Sequence, residues 1–313
     1  MWGAASLAMA GAARAQPALG LDDSVLLVPG PEDGGCVRWA GRVAASLARA
    51  LPVSTPPRLT VLGGPDGVTA ANRFGTLEAG DGKALLVLPG AALHARLIDP
   101  GRARFDPGSW VALLALWQGA VLAGRGPLAA GGQAPLRVAI GSPDAPEAAA
   151  LAALDLLRVP ARPVTGPAAA VFSAGQADAL IIAGADPVAA ARAIGATPWF
   201  RFAASGEAEG VPVFQATSGL SAASPEMRAV LAAVAAVQLR ASLVLPALTS
   251  ANLVAAWRRA SLRWQEEARA EPGEGRALAG AEAAAALAAI IPTAEAVLAW
   301  RTWLDRRLGW RPG

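Results

Sequence analysis

The chain has 313 residues, 54% hydrophobic and 16% charged, enough for one large domain or two of ordinary size, and two is the expectation. Its net charge is only +3, and its cations are scattered arginines with Lys83 the single lysine, a pattern that argues against nucleic acid as a partner. A lone cysteine, Cys36, excludes an intramolecular disulfide, and a lone histidine, His94, leaves no His/Cys cluster at metal-ligand spacing.

Residues Met1 to Ala15 form a short apolar run closed by Ala13-Arg14-Ala15, a small-x-small signal like a secretory cleavage site before Gln16. This reads as an export signal, against the alternative of a helical or disordered start to a cytosolic protein. No later apolar run reaches the ~20 residues of a membrane span, because Arg228 and Arg240 interrupt Val230 to Ala247 and Val111 to Gly124 is too short. The mature protein is expected not to be embedded in a membrane.

Val25 to Leu51 reads as strand, glycine loop and helix. A β-branched run ends at Pro29, and a loop with Gly30, Pro31, Gly34 and Gly35 follows. The helix opens near Cys36 with Cys36, Trp39, Ala40, Val43, Leu47 and Leu51 on one face and Arg38, Arg42 and Arg49 on another. Such a loop offers free backbone N–H groups and the positive end of a helix dipole to an anion such as a carboxylate, although an ordinary βα turn has the same sequence. Cys36 as a nucleophile would need a base. His94, in LPGAALHARL, reads instead as a surface or loop histidine, so no catalytic residue is assigned.

Arg58 to Leu62 is a second strand before the loop Gly63-Gly64-Pro65-Asp66-Gly67, and Ala84 to Leu88 a third, ending at Pro89-Gly90. This βαβαβ order predicts a parallel sheet with its loops gathered at the strand C-termini. Val111 to Ala123 is either a buried strand or a crossover. The Gly/Pro-rich stretch Gly124 to Ala134 marks a boundary, and a second cycle starts with Leu136 to Ile140, the loop Gly141-Ser142-Pro143-Asp144 and a helix over Glu147 to Leu157. Next come a helix near Ala168 to Ala174, a strand at Ala179 to Ala183, a helix near Pro187 to Ile194 and a strand near Trp199 to Ala203. From Pro225 the chain is expected to be almost wholly helical, over Met227 to Gln238, Ser250 to Arg269, Leu278 to Ile290 and Thr293 to Leu308, packing back on the first lobe. Trp257, Trp264, Trp300 and Trp303 on these helices read as a packing stripe, with an aromatic ligand box as the alternative.

Taken in order, Val28-Pro29, Pro31, Gly34-Gly35 and Arg42 resemble the opening of the Bug-type extracytoplasmic solute receptors of tripartite tricarboxylate transporters. Gly64, Gly67, Asp81-Gly82 with Leu85-Leu86, and Phe105-Asp106-Pro107 with Trp110 are similar to later landmarks of that family. So are Gly175-Gln176-Ala177-Asp178, Val211-Pro212 with Phe214, and Leu245-Pro246-Ala247. Two positions depart from the pattern: Arg38 stands where the family usually has aspartate, and the loop from Gly141 to Pro146 replaces a glycine-rich one.

The resemblance implies an α/β, two-lobed periplasmic binding protein of type II-like architecture, with parallel-sheet lobes, helices on both faces and a helical C-terminal segment. Lobe 1 would comprise 21–123 plus 224–313 and lobe 2 residues 124–223, with 1–15 removed on export to the periplasm. It implies a monomer that captures a small organic acid between its lobes, closes about a hinge and delivers the ligand to membrane transporter subunits, with no cofactor and no metal. The implied ligand residues are Pro31, Gly34, Gly35, Cys36, Arg38, Gly90, Ser142, Asp144 and Gly184. Arg38 would hold a second carboxylate unless it belongs to a solvated face with Arg42. Two rival readings stay open: an enzyme binding nucleotide or phosphate at the Gly34 loop, weakened by the absence of GxGxxG and of a P-loop lysine, and a non-binding scaffold or sensor of the same fold.

Overall fold

The computed structural model describes residues 20–51, 55–76, 82–128, 134–203, 210–270 and 273–312. The proposed export signal lies outside them, as do Asp81 and part of the Gly/Pro-rich stretch. The chain opens with β1 (Val25–Pro29), α1 (Gly35–Ala50), β2 (Arg58–Leu62), α2 (Val68–Gly75), β3 (Ala84–Leu88) and α3 (Gly90–Ile98). Strands β4 (Val111–Trp117) and β5 (Gly119–Gly124) follow, separated by Gln118 alone. A second cycle comprises β6 (Leu136–Ile140), a 3-10 turn (Pro146–Ala148), α4 (Ala149–Leu156), β7 (Ala161–Thr165), α5 (Ala168–Ser173), β8 (Ala179–Gly184), α6 (Pro187–Ala193) and β9 (Thr197–Arg201). The rest is α7 (Phe214–Ser218), α8 (Pro225–Gln238), β10 (Leu239–Leu245), α9 (Ala251–Ala270), β11 (Arg276–Ala279), α10 (Gly280–Ile290) and α11 (Ala294–Leu308).

Two sheets result. The first has strand order β11-β4-β10-β3-β1-β2 and the second β7-β6-β8-β5-β9. Both are mixed, which corrects the expectation of parallel sheets: β1, β2 and β3 are parallel and so are β6, β7 and β8, whereas β10, β4, β11, β5 and β9 join antiparallel. The segment predicted as one strand or crossover is therefore two strands, one in each sheet. The passage between sheets falls at Gln118, ahead of the Gly/Pro-rich stretch, because β5 pairs with β8 and β9 of the second sheet. The return passage runs from α8 into β10, and the two crossings are bonded to each other by the Gln118 N–H to the Gln238 carbonyl at 2.8 Å. The Gln238 side chain then donates to the Phe202 carbonyl at 2.9 Å, tying the return crossing to the second sheet.

The tail is also less helical than predicted, since β10 and β11 lie in it. Both belong to the first sheet and flank β4. Trp257 and Trp264 of α9 are buried against Trp39 and Leu47 of α1, and Trp257 donates its indole N–H to the Gly82 carbonyl at 2.9 Å. Trp300 of α11 is buried too, so these three rings pack helices, while Trp303 is half-buried and stacks on Trp300. Each such burial stabilises by about 1.5–3 kcal/mol in transfer terms.

Helices α8 and α11 do more than cover the first lobe. Met227 and Val230 of α8 and Trp300 and Leu304 of α11 share one core with Val138 and Ile140 of β6, Leu151 of α4, and Leu97 and Ile98 of α3. That core joins the second sheet to α3, α8 and α11. Asp178 shows how a landmark of the sequence acts locally: its carboxylate takes the Arg137 N–H at 2.9 Å and the guanidinium through Nε at 3.0 Å and Nη2 at 2.6 Å. The Arg137 hydrogen bonds hold its carboxyl below the usual range and pin β8 beside β6.

Candidate functional site

Strand C-termini of the parallel portions lie along one edge of each sheet, and the turns after β3 and β8 pack on the crossings, Gly90 on Ala236 and Leu239 and Pro187 on Gly119. At this edge of the first sheet lies the opening turn of α1. Gly34 caps it with an extended backbone and no side-chain bond, and the helix carries no acidic residue in its first turn. The first intrahelical bond of the turn runs from Arg38 N–H to the Gly34 carbonyl at 3.1 Å, so the N–H groups of Gly35, Cys36 and Val37 precede any helical acceptor. Pro31 is exposed, and its carbonyl accepts the Gly34 N–H at 2.8 Å, which closes the loop on itself.

Cys36 is half-buried, and burial pushes its thiol up, opposed in part by the positive charge of Arg240. A protonated thiol there fills space; it is not activated for attack. Arg38 is exposed and donates to the Asp33 carbonyl, so its guanidinium serves the loop from outside. The cation that does reach the opening turn is Arg240, on β10. Its guanidinium lies directly over Gly35, where a Cβ would collide with Nη2. Arg240 forms no ion pair among the described residues.

Gly90 packs closely on the return crossing. It is buried as the first residue of α3, and a Cβ there would overlap the Ala236 carbonyl oxygen and lie 2.7 Å from that of Leu239. The strand end predicted at Pro89-Gly90 is thus also the start of a helix, with Pro89 as its extended N-cap. His94 in the same helix is buried, not a surface or loop residue. Its Nε2 lies 3.1 Å from the Asp144 carbonyl, and since a carbonyl can only accept, Nε2 carries the proton. Nδ1 has no hydrogen-bond partner among the described residues, and the ring meets Trp300 edge-on at 6.2 Å. Burial lowers the His94 pKa to about 4, against the opposing bond to Asp144, so the ring is neutral near pH 7.

In the second lobe, Ser142 donates its hydroxyl to the Asp144 carboxylate, and Ala145 N–H bonds the Ser142 carbonyl at 3.1 Å. These residues bond to one another, and the Asp144 carbonyl is held by His94 of α3 in the first lobe. Glu147 stands in the first turn that follows, so this loop presents carboxylates where the α1 turn presents amides. Gly184 ends β8 opposite Gly119 of β5, with open space on its Cβ side. The structure thus brings Gly34, Gly35 and Cys36 together with Arg240 at one edge and leaves Arg38 and Gly90 outside that group. Arg240 was visible in the sequence as the charge breaking an apolar run; nothing there told that its strand returns beside β3.

Two cavities lie elsewhere. One of about 450 Å³ sits between α1 and α9, where Arg42 pairs with Glu274 and Arg49 with Glu267 at 2.6 Å. Another of about 630 Å³ runs along α11 beside Leu298 and Trp303. Neither is lined by a residue predicted to hold ligand. No group of three or more His, Cys, Asp or Glu able to hold a metal ion occurs among the described residues, and no single helix among them is long and apolar enough to cross a membrane.

No protein-family model matches the sequence, and no curated protein matches it. Solved structures do. A TctC solute-binding protein from Polaromonas is similar with a TM-score of 0.68 at 14% identity, covering 91% of this chain and 98% of that one. The periplasmic binding protein BugD gives 0.55 at 13%, with 93% and 99% covered. Rpa4515 of R. palustris, solved with adipate, gives 0.55 at 15%, again with 93% and 99% covered. At these identities the shared property is the two-lobed fold, over nearly the whole of each chain, which agrees with the order of landmarks in the sequence.

Proposed function

We propose that this protein is an extracytoplasmic receptor that captures a small organic acid between its lobes and hands it to a membrane transporter. The observation that carries this reading is the α1 opening turn: three N–H groups at the positive end of a 16-residue helix, with no acid in the first turn. A fold shared with a protein solved with adipate supports the same substrate class. Pro31, Gly34, Gly35 and Cys36 form the anion end on the first lobe, while Ser142, Asp144 and Gly184 border the second. Movement about Gln118 and Gln238 would close one on the other. The residues favour binding over catalysis, since the Cys36 thiol is held protonated and His94 is buried, neutral and engaged with Asp144. Export through the first 15 residues, residence in the periplasm and a monomeric state complete the proposal.

Titration calorimetry with short mono- and dicarboxylates, ATP and inorganic phosphate tests it. Saturable heat with at least one carboxylate is expected, and the Gly35→Pro variant, which removes one of the three N–H groups at a position where a helix tolerates proline, should bind the same acid at least tenfold more weakly while melting cooperatively. Heat from ATP or phosphate alone, or none from any acid, would overturn the receptor reading.

A further inference from the structure

Trp39 is buried on α1, and its indole N–H finds no acceptor among the described residues. A buried donor left without an acceptor costs stability unless something outside the chain accepts from it. Its ring is part of the wall of the cavity of about 450 Å³ between α1 and α9, a size within the roughly 300–1,000 Å³ of small-molecule sites. Leu116 of β4 and Trp264 of α9 line the same cavity and are buried, and Trp264 meets Trp39 edge-on with ring centres 5.9 Å apart. The floor is therefore apolar and largely aromatic, with one unused donor set in it. The charges around it are already matched. Arg42 pairs with Glu274, and the Glu267 carboxylate accepts from the Ser46 hydroxyl at 2.6 Å, from Arg49 at 2.6 Å and from Arg263 at 3.2 Å. Those bonds, that of Ser46 first, hold the Glu267 carboxyl below its usual range. Gln118 fixes the wall at Glu274 by donating its side-chain amide to that residue's carbonyl at 3.0 Å.

We propose that this cavity is a second binding site, separate from the turn that opens α1, and that it takes a small, uncharged, planar organic molecule carrying one hydrogen-bond acceptor for the Trp39 N–H. The planar apolar body follows from the walls of Trp39, Trp264 and Leu116, against which a flat ring buries the most surface. The acceptor follows from the unpaired N–H. The lack of charge follows from the rim. A charged ligand would have to take a partner from Arg42, Arg49, Glu267 or Glu274, whereas a neutral one leaves both pairs in place. Such a site stands whether or not the protein is a receptor for organic acids.

Indanone, indane and indane carboxylate are the probes, since they share one flat ring system and differ in the acceptor and the charge. Each is titrated into nitrogen-labelled protein while the indole N–H signals are followed by NMR, the signal lost in Trp39→Phe being that of Trp39. Indanone is expected to move the Trp39 signal saturably to lower field. Indane and the carboxylate should each bind about fivefold more weakly or worse, as for one lost hydrogen bond or one unmatched charge. Trp39→Phe keeps a ring but removes the donor, and should erase the preference of indanone over indane. Ala45 lines the cavity from the exposed side of α1, so Ala45→Leu fills it without disturbing the core and should weaken indanone at least tenfold. That variant keeps the test alive if Trp39→Phe does not fold. A Trp39 signal that no probe moves would mean that the N–H spends its hydrogen on the face of Trp264, and would overturn the proposal. Equal binding of indanone and indane to wild type, tighter binding of the carboxylate, or indanone affinity undiminished in Ala45→Leu would overturn it too.

Discussion

The two strand–loop–helix units of this chain, β1 to α1 and β6 to α4, read alike in sequence and differ in what their loops do. The first leaves its helix N-terminus open, with Gly34 making no side-chain cap, and sets Arg240 beside it. The second has no side-chain cap either, but it carries Glu147 in its first turn, bonds Ser142 to Asp144 and receives His94 from α3 of the first lobe. One turn has a cation and no acid near its free N–H groups, while the other has acids. The lesson is that two uncapped helix starts differ as places for an anion through the charges set around them.

The largest expected effect breaks the second loop's attachment. His94 titrates near 6.5 when unfolded and at about 4 in place, so the unfolded chain binds a proton that the native state refuses between these values. The group therefore costs nothing at pH 7 and removes stability as the pH falls, by about 3 kcal/mol at pH 4. Urea unfolding of wild type and His94→Gln at pH 7 and pH 4.5 checks this. The variant should be the less stable of the two at pH 7 and should lose less on acidification, since its side chain takes up no proton. Parallel losses in the two proteins would mean that burial does not hold His94 neutral.

Next come two glycines predicted to play one role. At Gly90 an added methyl meets the backbone carbonyls of Ala236 and Leu239, which cannot swing aside, and Gly90→Ala should cost about 1–3 kcal/mol in chemical denaturation. At Gly184 it meets nothing within 4 Å, and Gly184→Ala should stay within about 0.5 kcal/mol of wild type. Similar costs for the two would erase the distinction between the packed end of β3 and the open end of β8.

Much of the fold was legible in the sequence where local signals sufficed. Runs such as Ala84 to Leu88 between turn residues gave the parallel strands, and three- and four-residue spacing gave α1. What escaped depended on distant pairing. Leu239 to Leu245 follows a helix without a break and is a strand because β3 and β4 accept it on either side. Val111 to Gly124 is apolar throughout because both of its strands are buried, so the sequence carries no mark of the passage between sheets at Gln118. Pro89-Gly90 ends a strand in any local reading, yet here proline caps a helix and glycine lets that helix approach α8. The candidate site divides the same way: Gly34, Gly35 and Cys36 were proposed from their own neighbourhood, whereas the surroundings of Arg240 and His94 are set by residues far along the chain.

The smallest expected effect concerns Arg38, one helical turn from the residues it was expected to assist. It is exposed, and its guanidinium is turned to the Asp33 carbonyl. Replacing it with alanine removes a solvent-exposed hydrogen bond, worth about 0.5–1.5 kcal/mol at most. The same change also removes a cation from the positive end of α1, a gain of roughly 0.3–1 kcal/mol. The two nearly cancel, so Arg38→Ala should melt within a few degrees of wild type. Its effect on binding should be equally small, with succinate and butyrate affinities each within twofold of wild type at physiological salt, where an exposed charge is screened over about 8 Å. A tenfold loss for succinate alone would set Arg38 against the ligand and the ligand on the outer side of the loop.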